Sequence, residues 1–128
     1  MPAVGSVTIT RSRLQKNLEA ITIAWTSDGA GAVSGNPFAV GAGPLWQAKF
    51  VPGSGADQPD DNYDVTINDE DGCDVLLGDG VNLSNSEAAI VGAISPIALL
   101  DGQALDVVVA NAGDSKTGTV TLIIGRFS

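Results

Sequence analysis

At 128 residues the chain is long enough for one domain with a single core. Hydrophobic residues make up 44% of it but aromatics only 5%, so the core must be built mainly from Val, Ile, Leu and Ala. The net charge of -9 disfavours a grip on nucleic acid, which depends on Lys and Arg neutralising phosphates, and the absence of histidine removes the commonest general base and the usual catalytic triads.

The N-terminal segment "MPAVGSVTIT" lacks the basic head and continuous apolar stretch of a secretion signal, and no apolar run approaches the ~18 residues of a membrane span. The chain is therefore expected to be made and kept in a cytoplasm, without a membrane partner. Val7 and Ile9 alternate with Ser6, Thr8 and Thr10, which is the period of a half-buried strand. "SRLQKNLEAI" then places Leu14 and Leu18 four apart, a spacing that suits a short helix, and residues 1–17 are a candidate N-terminal arm.

Ile21, Ile23 and Trp25 alternate with Thr22, Ala24 and Thr26, so Trp25 is expected on the core side of a strand. "SDGAGAVSG" follows as a turn, with Val33 opening a return strand. Trp46, Ala48 and Phe50 form the next alternating set, followed by the polar connection "VPGSGADQPDD". Tyr63, Val65 and Ile67 lead into "DEDG", and Val75 and Leu77 lead out, which reads as a hairpin with Cys73 as a small apolar strand residue.

Residues 81–100 are ambiguous. Ser84 and Glu87 stand three apart before an apolar run, as in a capping box, while Gly92 and Pro96 would cut a helix short, leaving one helical turn near 84–94 as an option. Leu105, Val107 and Val109 precede "NAGDSKTG", and Val120, Leu122 and Ile124 follow it, again with period two. The pattern predicts an all-β fold, a single β-sandwich or jelly roll over residues 1–128, with about seven to eight short antiparallel strands.

Candidate chemistry is sparse. The single cysteine excludes an intramolecular disulfide, and neither it nor any serine has an evident activating base, so an enzyme is not expected. The residues 57–79 are dense in acids, and "NDEDGCD" is the best candidate for calcium. It fits the EF-hand loop poorly, because Ile67 and Gly78 occupy positions where that loop needs acidic ligands. No cofactor or metal is assigned.

Three strings, "ITIAWTSDGAGAVSG" (21–35), "DNYDVTINDEDGCDVLLGDG" (61–80) and "LDVVVANAGDSKTGTVTLIIGR" (105–126), resemble a family of small tailed-bacteriophage virion structural proteins. The resemblance covers most of the chain from residue 20 onward. It implies a β-sandwich building block of the virus particle, in the first place a capsid decoration (cement) protein that binds and stabilises the head lattice. The alternative is a head-fibre or tail-associated module that binds the host surface. Implied partners are the major capsid protein and further copies of the chain, as a homo-dimer or homo-trimer, on the capsid surface of a virion assembled in the bacterial cytoplasm.

Two sets of residues are candidates for such contacts. Val4, Phe38, Leu45 and Phe127 lie outside the cleanest alternation and could form an apolar patch. Arg11, Arg13 and Lys16 are the candidate electrostatic partners of an acidic capsid, since no Lys or Arg occurs between Phe50 and Ser115.

Overall fold

The computed structural model describes residues 4–99 and 102–125. Eight strands run in chain order: β1 (Ser6–Gln15), β2 (Leu18–Thr26), β3 (Phe38–Ala39), β4 (Gly43–Pro52), β5 (Asp64–Asn68), β6 (Ala89–Leu99), β7 (Ala104–Ala110) and β8 (Thr117–Gly125). They form two antiparallel sheets, one of five strands in the order β1-β2-β8-β4-β6 and one of three in the order β3-β7-β5. The fold is all-β and sandwich-like, as the alternation predicts. The one helical element among the described residues is a 3-10 turn at Gly55–Asp57.

Alternation decides which side chains fill the space between the sheets. Ile21, Ile23 and Trp25 of β2, Val120, Leu122 and Ile124 of β8, and Phe50 of β4 are all at most 1% exposed. Val65 and Ile67 of β5 and Leu105, Val107 and Val109 of β7 face them from the other sheet, at 1% or less. Burial of such side chains stabilises by about 1.5–3 kcal/mol each, which is why the period-two residues control strand register.

Residues 6–15 of the candidate arm form β1, paired with β2 from Ser6↔Thr26 to Gln15↔Leu18. The spacing of Leu14 and Leu18 therefore marks the two sides of a tight hairpin turn and not a helix. The register shifts between Arg13 and Gln15, so Leu14 is the bulged residue and stands 52% exposed. Strand pairing of the preceding Thr and Ile residues outweighs the local helical spacing.

A helical turn near 84–94 does not form either. The Ser84 hydroxyl accepts the Ser86 amide at 3.2 Å, closing a local turn, and from Ala89 the chain pairs with β4. Joining β4 satisfies backbone groups that a short helix would leave at an open sheet edge.

The corner after Trp25 is built differently from a hairpin. Asp28 accepts the amides of Ala30 and Ala32 at 2.9 and 3.0 Å, and Gly31 takes a φ of +80° that a residue with a side chain would resist. Val33 then exchanges backbone hydrogen bonds with Val109 of β7. The segment "SDGAGAVSG" thus carries the chain from the five-stranded sheet to the three-stranded one, instead of returning alongside β2.

The "DEDG" hairpin is cut short. Asn68 bridges Asp74 and the Val75 amide donates to Ile67 at 2.7 Å, but the chain then coils through turns, with Leu77 at a φ of +56°. Val75 is buried while Leu77 is 70% exposed. The cause is the Asp74 carboxylate, which accepts the Leu76 and Gly78 amides and winds the chain away from a strand. Cys73 is consequently an exposed turn residue and not a strand residue.

Candidate interaction surface

The seven residues singled out as candidate contacts do not form one surface. Phe38 and Leu45 are core residues, 8% and 4% exposed, and are not available to a partner. Phe38 pairs with Leu105 in the β3–β7 ladder. Val4 is half-buried and exchanges two backbone hydrogen bonds of 2.9 Å with Ser34. Phe127 lies outside the described residues.

Leu45 is buried because of a bulge in β4. Phe50 and Ala48 face the core by alternation, which would bring Trp46 in and put Leu45 out. The register against β8 and β6 slips between Leu45 and Gln47, so the order is inverted: Leu45 points in, and Trp46 is the extra residue, 47% exposed. The Trp46 indole lies against Gly125, where an added Cβ would come within 2.5 Å of its nitrogen. Adjacent apolar residues "LW" before "QAKF" were the available signal, since strict alternation cannot bury both.

Arg11, Arg13 and Lys16 share one hairpin. All three are exposed on the β1–β2 hairpin, with Lys16 in its turn. The Arg11 guanidinium donates to the Ala39 carbonyl at 2.6 Å, and Arg13 stands opposite Glu19 in register. The hairpin tip lies at the end of the five-stranded sheet where β8 finishes. At the other end lie the loops bearing Asp28, Asp57, Asp60, Asp61 and Asp114, with Lys116 among them. The molecule therefore has a basic tip on a strongly acidic body.

Much of the acidic segment is engaged with its own backbone. Asp69 accepts the Asp71 and Cys73 amides at 2.9 Å each, and Asp74 accepts those of Ile67, Leu76 and Gly78 between 2.9 and 3.0 Å. Asp64 takes the Asn82 amide and the Asn111 side chain, and Asp61 takes the Asn85 amide. These carboxylates shape turns by accepting from N–H groups that no strand satisfies. Among the described residues no group of three or more His, Cys, Asp or Glu is arranged to hold a metal ion.

The outward face of the five-stranded sheet was not legible as a surface until register was known. Rows of neighbouring residues cross the strands: Thr8–Ala24–Thr119–Val51, then Thr10–Thr22–Thr121–Lys49–Ile90. Ser6, Thr26 and Thr117 continue it at one end, where Val51 and Pro52 help form a shallow depression of about 330 Å³. The hydroxyls of Thr22 and Thr121 meet at 3.5 Å across β2 and β8.

No family model, no curated protein and no solved structure matches this chain.

Proposed function

We propose that the protein is a structural component of a tailed-bacteriophage virion, in the first place a decoration protein that binds the outside of the head lattice. The reading starts from the resemblance of the three strings at 21–35, 61–80 and 105–126 to small virion proteins. The observation that gives it a contact surface is the exposed basic hairpin tip, Arg11, Arg13 and Lys16, on a chain of net charge -9. A localised basic patch on an acidic body orients approach to an acidic lattice and makes docking salt-dependent. The function asked of the chain is then mechanical: each copy ties neighbouring capsid subunits by burying surface on them.

The test is to add the purified protein to heads assembled without it and to sediment the mixture. Saturable binding at a copy number set by the lattice, with heads that survive hotter, is the expected result. Reversing the charge of Arg11, Arg13 and Lys16 should weaken binding and flatten its salt dependence. Heads that neither bind the protein nor gain heat resistance would sink the decoration role.

One observation favours a second reading, a host-surface-binding module. Trp46 is an exposed aromatic raised on a bulge, a disposition suited to the flat face of a sugar ring. Binding of the protein to polysaccharide from the host envelope, lost in Trp46→Ala, would select this reading over the first.

A further inference from the structure

The outward face of the five-stranded sheet differs from the rest of the molecule in charge. The chain carries 15 acidic residues, yet none occupies the outward rows that run from β1 to β6. Those rows are Thr, Ser and Ala with Gln47, Val51, Ile123 and Ile90, and Lys49 is their one charge. The outward side of the smaller sheet, by contrast, carries Asp64 and Asp106 on neighbouring strands. Of the six large apolar side chains exposed among the described residues, Leu14, Trp46, Val51 and Ile90 belong to strands of the five-stranded sheet.

We propose that this face is where two copies of the chain meet, sheet against sheet, about a two-fold axis near the central strand β8. Depletion of charge is the compositional mark of an interface core. A second copy is the occupant for two reasons. Two molecules of net charge -9 repel wherever their carboxylates meet, and this face is the broad surface on which they meet none.

The area is also sufficient. Five strands ~4.8 Å apart and about eight residues of ~3.3 Å span roughly 600 Å² on each copy, or about 1,200 Å² in all, the lower bound of a stable interface. In an isologous dimer the residues nearest the axis face their own mates, and here those are Thr119 and Thr121 of β8. Their small, stiff side chains allow the two backbones to approach at ordinary sheet-packing distance. The proposal concerns self-association alone and does not depend on a place in the particle.

Sedimentation velocity of the full chain from about 1 to about 500 µM provides the test. A reversible dimer is expected, with Thr121→Glu weakening it about tenfold or more because two carboxylates meet at the axis. Thr66→Glu, on the other sheet, adds the same charge and should leave the dimer unchanged. Mixing Thr121→Glu with Thr121→Lys should restore association. Lys49→Glu, at an exposed position that cannot disturb the core, should also weaken the dimer and serves if Thr121→Glu does not fold. A wild-type chain that stays monomeric throughout overturns the proposal, as does a dimer indifferent to Lys49→Glu and to whichever Thr121 variants fold.

Discussion

Trp25 of β2 and Tyr63 at the head of β5 pack across the space between the two sheets, with ring centroids 5.7 Å apart and planes tilted by 49°. Both are 1% exposed, and these two largest fully buried side chains among the described residues join one sheet to the other. Room for the indole comes from Gly118 of β8, the register partner of Trp25, where an added Cβ would overlap the Trp25 ring. Gly118→Ala should therefore destabilise by about 1–3 kcal/mol, and Trp25→Ala by about 3–5 kcal/mol. The two effects should not add: in a Trp25→Leu background the extra methyl at residue 118 has space and should cost much less. Urea unfolding of wild type, Gly118→Ala, Trp25→Leu and the double variant measures this, and equal costs in both backgrounds would refute the steric account.

Tyr63 also makes stability depend on pH. Burial disfavours the charged phenolate and pushes its pKa from 10 up to about 12. The unfolded chain releases the phenol proton near pH 10, while the folded chain holds it until about pH 12. Its contribution to stability is complete below pH 10 and declines as pH rises from 10 to about 12. Since this is the only tyrosine, Tyr63→Phe should remove that part of the alkaline decline. Urea midpoints of the two proteins measured across that range should converge, and parallel curves would contradict the assignment.

The sheets were legible in the sequence because burial of one face enforces period two, and Ile21–Ile23–Trp25 or Leu105–Val107–Val109 cannot satisfy it in any other conformation. The local features failed where a tertiary partner outweighed them. Leu14 and Leu18 have helical spacing but lie across a hairpin turn, and the Ser84–Glu87 capping pattern yields to β4, which needs a neighbour at its edge. Of the candidate contacts, the basic hairpin was legible because like charges close in sequence stay close in a hairpin. Leu45 was misplaced because a bulge, which moves one residue, inverts what alternation reads on its far side, and Phe38 because its two-residue strand, paired with Leu105, is too short to show a period.

The loop at 69–79 should be held by side-chain carboxylates acting on backbone amides. Asp74 accepts three of these, from Ile67, Leu76 and Gly78, so Asp74→Ala should cost about 1–3 kcal/mol. Asp69→Ala, which frees only the Asp71 and Cys73 amides in an exposed turn, should cost less. Hydrogen exchange at Leu76 and Gly78 should quicken in the Asp74 variant and not in the Asp69 variant. Unchanged exchange at both amides in Asp74→Ala would show that the loop is held by something else.

Cys73 is exposed in the turn of that loop, outside any strand. A water-soluble disulfide reagent should titrate one thiol per chain in the native protein, at nearly the rate seen in urea. A strand-interior cysteine would react only through unfolding, so strong native protection would contradict the exposed turn.

The two tryptophans report the β4 bulge directly, because they should sit in opposite environments. Trp25 is 1% exposed beneath the sheet, while Trp46 is 47% exposed above Gly125. Trp46→Phe leaves Trp25 as the sole indole, and its emission should be blue-shifted and hardly quenched by iodide. Trp25→Phe leaves Trp46, whose emission should lie to the red and be quenched readily. Stability should divide the same way, with Trp25→Phe costing more than Trp46→Phe, since only the former opens space in the core. Had β4 kept strict alternation through Trp46, both indoles would be shielded, and equal protection of the two from iodide would remove the bulge and the exposed Trp46 with it.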